Sequence, residues 1–236
     1  AGADNTVEVH IAMSTPRLRE DLITYKIYPN GRLYVYHSAV PKQDMLRFGF
    51  QITLPGSYEY VNWYGRGPHP SYRDRKTGAA LGRYQSTVTA LEHRYMRPQE
   101  SSNRTDTYDL YLCDSHGEGF RVQAYYETPF AFSAYHYTTT GLDKAAHIHE
   151  IPYDPSLTTL NIDGAQCGVG GDLPGQGAVR APYRVTAGES ATVSSTGLVE
   201  PLCTRYYWYG NVGSTAPTPG KTPDRVTESY TAGDST

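Results

Sequence analysis

A period-two alternation of apolar and polar residues runs through most of this chain and constrains its fold more than any other feature. It is clear in TVEVHIAM, from Thr6 to Met13, and again in LITYKIYPNGRLYVYHSAV, residues 22–40. The pattern is typical of half-buried β-strands, because successive side chains point to opposite faces of a sheet. Asn30 and Gly31 separate two such runs, and this dipeptide predicts a hairpin with a type I′ turn.

Six further runs with strand character follow between residues 45 and 199. They read MLRFGFQITL, TYDLYLCD, FRVQAYY, FAFSAYHYT, TTLNIDGAQCGVGG and YRVTAGESATVSSTGLV. One segment, GLDKAAHIHEI from Gly141 to Ile151, has helical spacing, and Pro152 follows it as a stop signal. We therefore predict an all-β chain of antiparallel sheet with one short helix.

The chain is long enough for one sizeable core, and we expect one β domain over residues 1–200. With 236 residues, it buries about 70 to 75% of the surface that its unfolded form exposes. The last stretch, GNVGSTAPTPGKTPDRVTESYTAGDST, is rich in Pro, Gly, Ser and Thr and has little periodicity. Because such composition is typical of an extended arm, we assign residues 201–236 to a C-terminal extension.

Charge and hydropathy argue against two classes of partner. The net charge is −3 and 19% of the residues are charged, which is far from the basic balance that nucleic acids select. The sequence contains no run of eighteen apolar residues, so we expect no membrane partner. The first residues, AGADNTVEVH, lack the pattern of a signal peptide, and we expect a cytoplasmic protein.

No metal site or cofactor is predicted within the chain. Cys113, Cys167 and Cys203 are widely spaced and form no CxxC pair, so buried thiols are expected rather than zinc ligands. His147 and His149 lie two residues apart in the predicted helix. Such residues point about 200° apart and cannot share an ion without distortion.

A dense group of polar residues from Arg97 to Asp109, RPQESSNRTDTYD, is a candidate ligand site. Planar amides, a carboxylate and a guanidinium beside aromatic rings are the groups that bind sugar hydroxyls and stack on sugar faces. The residues concerned are Tyr95, Glu100, Asn103, Arg104 and Asp106. The alternative is a solvated loop in which Arg104 and Asp106 pair with each other.

A second unusual stretch, VNWYGRGPHPSYRDRK from Val61 to Lys76, is too polar for a buried strand. We expect Trp63 to bury its ring against the sheet, while the glycines and the first proline turn the chain at a strand end. Tyr72, Asp74 and Arg75 would then form a fixed structural cluster in which the Asp and the Arg are paired.

Three stretches, in this order, resemble the motifs of one family. VNWYGRGPHPSYRDRK resembles W-x-G-x-G-P-x-x-x-Y-x-D-R, YMRPQESSNRTD resembles P-Q-E-x-x-N-R-x-D, and LNIDGAQCGVGGD resembles N-I-D-G-x-x-x-G-x-G-G-D. These motifs belong to the C-terminal domain of glycoside hydrolase family 2 β-galactosidases of the lacZ type, also called the β-galactosidase small chain. The clear resemblance spans Val61 to Val185.

The resemblance implies a galactose-mutarotase-like antiparallel β-supersandwich without catalytic residues of its own. In that family the catalytic glutamates lie in a separate (β/α)8 barrel, and this chain has no βα alternation to build one. The resemblance therefore implies a sandwich that shapes the active site of a retaining glycosidase and is inactive alone, with the first part of the family's domain outside this chain. The implied partners are a catalytic barrel domain or large subunit, galactosides, and further copies in an oligomer. Magnesium and sodium are the ions that it associates with the parent enzyme.

One segment departs from the family pattern. In well-known members the glycine-rich strand ends in G-G-D-D-S-W, a loop that reaches the active site, whereas this chain reads GGDLPG. Asp172 keeps its place, but Gly175 stands where the family has the tryptophan. Loss of the ring removes a stacking contact of about 1 kcal/mol, so sugar binding by this loop is expected to be weaker.

Two other functions remain open from the sequence. The first is a free-standing carbohydrate-binding module that uses the cluster from Tyr95 to Asp106. The second is a sugar mutarotase, which needs a base and an acid placed across the C1 and O5 atoms of the sugar ring. His93 with Glu100 or Asp172 would be the pair to test.

Overall fold

The computed structural model describes residues 5–124 and 128–166, together with the backbone of residues 191–198 and 225–226. The described residues form two antiparallel sheets that pack face to face. The predicted all-β class is confirmed. The predicted boundary at residue 200 stays a prediction, because most of the extension lies outside the described residues. Among the described residues, no helix is long and apolar enough to cross a membrane.

The larger sheet contains nine strands. In spatial order they are β1 (Val7–Ala12), β2 (Leu18–Ile27), β3 (Arg32–Pro41), β12 (Ala191–Leu198), β9 (Gly119–Ala124), β8 (Asp109–Cys113), β5 (Tyr60–Gly67), β6 (Ala80–Thr87) and β13 (Arg225–Val226). The smaller sheet has four strands, in the order β4 (Arg47–Pro55), β11 (Leu157–Gln166), β10 (Phe130–Tyr135) and β7 (Arg104–Thr107). Strands that lie far apart in sequence are therefore neighbours in both sheets.

The main core lies between the two sheets and is centred on Trp63. Its indole ring stacks on Tyr84 at 5.3 Å between centroids and meets Phe132 of the small sheet edge-on at 5.6 Å. The ring nitrogen of Trp63 donates a hydrogen bond to the Arg66 carbonyl at 3.0 Å, so its polar atom is satisfied. The predicted burial of this ring against the sheet is thus confirmed.

The structure corrects the sequence prediction for the stretch that begins at Val61. Residues Tyr60–Gly67 form β5, an interior strand paired with β6 on one side and β8 on the other, and not a loop. The prediction failed because Asn62 is buried on the face opposite Trp63, a polar residue where alternation would place an exposed one. The turn begins only after β5 ends, at Pro68.

Two local predictions also need correction. The β2–β3 hairpin exists, but its loop has three residues, since Tyr28 N donates to Arg32 O at 2.9 Å and only Gly31 has positive φ. Such a loop is a type I turn followed by a left-handed glycine, not a type I′ turn. The predicted helix is shorter and earlier than expected. It is α2 (Thr139–Lys144), followed by a 3-10 turn at Ile148–Glu150, and a four-residue helix, α1 (Val88–Leu91), was not foreseen.

We predict that Trp63→Ala lowers the free energy of unfolding by about 3 to 5 kcal/mol, because it leaves a cavity between the two sheets. Denaturant unfolding of the 236-residue chain measures the change. Met96→Ala is the control, since Met96 is 89% exposed and its loss should change stability by less than about 0.5 kcal/mol. Equal midpoints for the two variants would show that the core is not centred on Trp63.

Candidate functional site

Four segments that are distant in sequence meet at one end of the sandwich. They are the start of β4, the turn after β5, the segment from Tyr95 to Asp106, and the end of β11. We call the polar residues at their junction the Glu100 site; its members are Arg47, Tyr72, Glu100, Asp163 and Gln166. The pairing of β4 with β11 sets Gln166 opposite Arg47, so the first residue of β4 meets the last residue of β11.

Arg47 and Asp163 form the rigid part of this site. Arg47 donates from Nε and Nη2 to the two Asp163 oxygens, each at 2.7 Å. Such a bidentate fork fixes both side chains in direction as well as distance. Burial tends to lower the pKa of Arg47, but the hydrogen bonds and charge of Asp163 outweigh it and raise that pKa. Arg47 therefore stays charged.

Glu100 is the group in this site whose charge can change near neutral pH. Its nearest cation is Arg47, with Nη1 at 4.0 Å from a Glu100 oxygen, while Arg47 is already bound to Asp163. Burial raises the pKa of Glu100 to about 7, Arg47 opposes the shift, and the Asp163 charge adds to it. Burial raises the pKa of Asp163 as well, and the hydrogen bonds and charge of Arg47 oppose that shift. The two carboxyl groups thus share one guanidinium, and Glu100, which has only the longer contact to it, is partly protonated near pH 7.

Arg104 lies beneath the Glu100 site and is one of the most buried charges in the described residues. Its guanidinium donates to the carbonyls of Leu91 at 3.0 Å, Ser102 at 2.6 Å and Pro68 at 3.0 Å. Burial lowers the pKa of Arg104 to about 10, which leaves it charged at neutral pH. The alternative pairing of Arg104 with Asp106 is therefore wrong.

Asp106 instead pairs with two other cations on the surface. Its carboxylate accepts from Arg66 Nε at 2.5 Å and from Lys76 Nζ at 2.8 Å. Burial tends to raise the pKa of Asp106, but the hydrogen bonds from Arg66 and Lys76 outweigh it and lower the pKa. Asp106 therefore ties β5 to the loop before β6.

The expected pair of Asp74 and Arg75 is also wrong. Tyr72 and Arg75 bond to each other through their backbones in a tight turn, which leaves Asp74 exposed at its tip. Arg75 lies over the Tyr72 ring at 5.4 Å, and its Nη2 donates to Tyr95 Oη at 3.1 Å. Aromatic partners on two segments replace the expected carboxylate, and they bring Tyr72, Arg75 and Tyr95 together.

Buried polar atoms without a hydrogen-bond partner are concentrated around the Glu100 site. Within the described residues, six of the twelve buried side-chain atoms without a close hydrogen-bond partner lie here: Tyr72 Oη, both Glu100 oxygens, Asn103 Oδ1, Arg104 Nε and Gln166 Oε1. Weaker hydrogen bonds link Glu100 to Gln166 and the Ser101 backbone, and Tyr72 to the Asn103 backbone. Asn103 uses its amide nitrogen on the Ser71 carbonyl at 2.8 Å. Folded proteins satisfy most buried polar groups, so this end of the sandwich, as far as the described residues go, has buried polar atoms that a further partner would satisfy.

The sequence prediction named part of this site and missed part. Glu100, Asn103, Arg104, Tyr72, Arg75 and Tyr95 do come together, whereas Asp172 and Gly175 lie outside the described residues. Arg47 was missed, because an arginine at the start of a strand has no distinctive pattern. Asp163 had a signal, since it is the acidic residue of the N-I-D-G motif. In the described part of the chain, no group of three His, Cys, Asp or Glu side chains is arranged to hold a metal ion.

Comparison with known proteins agrees with the motifs. The sequence model of the family described as β-galactosidase small chain matches residues 1–196. The chain is 30% identical to a β-galactosidase of Priestia megaterium over 83% of this chain and 19% of the relative. It is 35% identical to a β-galactosidase of Halalkalibacterium halodurans over 64% of this chain and 15% of that relative. The chain therefore spans about one fifth or less of the length of these curated relatives.

We predict that Glu100→Gln removes a pH dependence of stability. Because the folded-state pKa of Glu100, about 7, lies above its ordinary value of 4.5, its contribution is fully present below about pH 4.5 and is lost as the pH rises through 7. The unfolding free energy of the wild type should fall by up to about 3 kcal/mol relative to the variant between pH 4.5 and 8. If the difference in unfolding free energy between the wild type and the variant stayed constant from pH 4.5 to 8, the raised pKa of Glu100 would be contradicted.

We also predict that Arg104→Met destabilises the chain strongly and Asp74→Ala does not. The first change leaves three carbonyls without their donor, at about 1 kcal/mol or more each. The second removes an exposed side chain and should cost less than about 0.5 kcal/mol. Thermal and denaturant unfolding distinguish them. A lower unfolding midpoint for Asp74→Ala than for Arg104→Met would support the Asp74–Arg75 ion pair that the sequence predicted.

Proposed function

The chain belongs to the β-galactosidase small chain family, and from this we propose that it is the sandwich component of a larger β-galactosidase of glycoside hydrolase family 2. In this proposal the chain has a galactose-mutarotase-like fold and carries no catalytic residue. The catalytic barrel lies in another part of the enzyme, and the sandwich shapes its active site through the Glu100 site. Galactosides bind to the assembled enzyme.

The concentration of unpartnered polar atoms at the Glu100 site is the observation that carries this proposal. Each such group costs about 1 to 3 kcal/mol when it is left buried and unpaired. Contact with a neighbouring domain that supplies hydrogen-bond partners is therefore favoured at this site. The Glu100 side chain retains 21% exposure although its oxygens are buried. Glu100 therefore lies just beneath the surface of the described residues.

The position of the site along the chain supports the same role. Asp163 and Gln166 lie near the end of β11, immediately before the glycine-rich stretch that resembles the family's active-site loop. The Arg47 fork holds the end of this strand in place. A displacement of about 1 Å at a catalytic centre can reduce activity about 100-fold, so a rigid anchor at this point would matter for catalysis in the adjoining barrel.

The two carboxyl groups of the Glu100 site do not suit catalysis by the chain alone. A retaining glycosidase needs two carboxyls about 5 to 5.5 Å apart on either side of the substrate. Asp163 is held by Arg47 and has a side chain only 2% exposed, and both Glu100 oxygens are buried.

The two other functions receive less support from the geometry. A sugar-binding module would display the planar groups of Asn103 and Arg104, but both side chains are buried and donate to backbone carbonyls. In the mutarotase alternative His93 would work with Glu100. The His93 ring instead packs edge-on against Tyr95 at 4.6 Å and is exposed, while the other candidate partner, Asp172, lies outside the described residues.

We predict that the natural polypeptide carrying this sequence is several times larger than 26.2 kDa and hydrolyses a nitrophenyl galactoside, whereas the 236-residue chain alone does not. Blotting of the source organism's extract and an activity assay on both purified proteins measure this. Hydrolysis by the isolated chain would contradict the non-catalytic role. A natural product near 26 kDa that neither hydrolyses galactosides nor copurifies with a larger subunit would contradict the whole proposal.

A matched pair of charge reversals in the active enzyme tests the role of the Glu100 site. Arg75→Glu alters an exposed turn beside the site, and Glu118→Arg alters an exposed turn at the opposite end of β5. The first should lower kcat/KM about 10-fold or more, and the second should leave it within about twofold. If the two variants changed kcat/KM equally, the Glu100 site would not be the part of the chain that supports the active site.

A further inference from the structure

A cavity with a volume of about 170 Å³ opens beside the end of α1, and none of its lining residues belongs to the Glu100 site. We call it the Glu92 cavity; it is lined by Glu92, Arg94, Ile148, His149, Ile151 and Tyr153. The first two residues follow α1, and the other four lie in or just after the 3-10 turn. A protein cavity of about 150 Å³ can hold a benzene ring. The Glu92 cavity therefore has room for one six-membered ring.

Glu92 supplies a hydrogen-bond acceptor that the described residues do not use. Its side chain is only 8% exposed, and Arg94 Nε donates to its Oε2 atom at 3.0 Å. The second oxygen, Oε1, accepts no hydrogen bond within the described residues and keeps some contact with solvent. A carboxylate oxygen has two lone pairs for donors. Because Glu92 lines the cavity, a ligand that carries a hydroxyl group can donate to Oε1.

The other walls of the Glu92 cavity are apolar or aromatic. Ile148 and Ile151 are half-buried, and Tyr153 is 46% exposed. The Tyr153 ring meets the buried His136 ring edge-on at 5.6 Å between centroids, which holds it beside the cavity. Small-molecule sites typically combine such apolar and aromatic walls with a few placed polar groups. These walls suit the C–H face of a ring whose edge carries polar groups.

The charges around the Glu92 cavity are already paired, which favours a neutral ligand. Behind the cavity, the two ring nitrogens of His136 bind Glu59 Oε2 at 2.6 Å and the Leu157 carbonyl at 2.8 Å. Burial tends to lower the pKa of His136, but the Glu59 hydrogen bond and the Leu157 carbonyl outweigh it and raise that pKa. Glu59 is thus paired with His136, and Glu92 with Arg94. A further cation would lie close to both positive groups.

The Glu92 cavity is separate from the Glu100 site, although a buried tyrosine lies within electrostatic reach of both. Burial raises the pKa of Tyr137, and the charges of Glu92 and Glu100 add to that shift. The Tyr137 ring stacks on Tyr135 at 4.4 Å. Two stacked rings therefore stand between the cavity and the residues that we propose to support catalysis. Substitutions in the cavity can be tested without altering the Glu100 site.

We propose that the Glu92 cavity binds one neutral pyranose sugar. One hydroxyl group of the sugar donates to Glu92 Oε1, and the C–H face of the ring packs on Tyr153. Arg94 is 55% exposed, and the N–H groups that it does not use on Glu92 donate to sugar oxygens. A pyranose matches the cavity in size, in neutral charge and in its combination of hydroxyl groups with an apolar face. Galactose is the probe because the proposed enzyme would release it; only this choice of sugar rests on the proposed function.

Hydrogen exchange of the natural full-length protein, measured with increasing galactose, tests the proposal. Galactose should slow exchange of residues 146–154, which carry four of the cavity residues. A small neutral ligand in such a cavity should bind with a Kd of about 1 to 10 mM. Glu92→Ala and Tyr153→Ala should each raise this Kd about fivefold or more, because each removes one contact with the sugar.

Tyr36→Ala is the matched control, since Tyr36 is 37% exposed and lies on β3, far in sequence from the cavity residues. It should leave the Kd within about twofold. Ile148→Trp gives a second reading, because it fills the cavity without removing a polar group and should abolish the effect of galactose. Unchanged exchange of β8 shows that each variant is folded.

Three results would overturn the proposal. They are unchanged exchange of residues 146–154 at about 100 mM galactose, well above the expected Kd, a galactose effect that persists in all three cavity variants, and protection by methylguanidinium but not by galactose. The last result would assign the cavity to a cationic side chain. Hydrolysis of a nitrophenyl galactoside by the same protein tests the proposed function separately. An active enzyme without protection rejects only the sugar site, and protection without hydrolysis rejects only the proposed function.

Discussion

The buried guanidinium of Arg104 holds together the end of the sandwich on which the rest of the account depends. It binds carbonyls from three segments: the end of α1 at Leu91, the loop at Ser102 and the turn at Pro68. Its guanidinium also lies 5.9 Å from the Trp63 ring in the main core. No other charged side chain in the described residues joins the inter-sheet core to the polar junction above it through so many backbone contacts. The position of Glu100 and Tyr72 follows from this arrangement.

Within the described residues, the sandwich lacks partners at two places for two different physical reasons. At the Glu100 site, polar atoms are buried without partners, which is an electrostatic deficit. At the β1–β2 ribbon, apolar side chains are exposed next to an open strand edge, which is a hydrophobic and hydrogen-bonding deficit. In the proposed larger enzyme, neighbouring domains would remove both deficits.

The sequence predicted the strands better than the site. The strand-like runs of the sequence located β2, β3, β4, β10 and β11, although β10 is buried along its whole length and several apolar residues of β2 are exposed. The sequence prediction failed for β5, where Asn62 is buried in an interior strand, and for the ion pairs, where it paired Asp74 with Arg75 and Arg104 with Asp106. Sequence neighbours were chosen in both cases, but Arg75 contacts Tyr95 and Asp106 contacts Arg66 and Lys76. The partners of Arg75 and Asp106 depend on which distant segments lie side by side in the fold. A single sequence does not reveal that arrangement.

Hydrogen exchange of the 236-residue chain, alone and within the longer active enzyme, tests the central claim that this sandwich is completed by neighbouring domains. The account predicts slower exchange in the enzyme for residues 7–13, 47–55 and 95–106. It also predicts unchanged exchange for the β8–β9 turn at residues 114–118, which lies at the other end of β5. Identical exchange of all these segments in the two proteins would show that the sandwich is complete alone and would contradict the account.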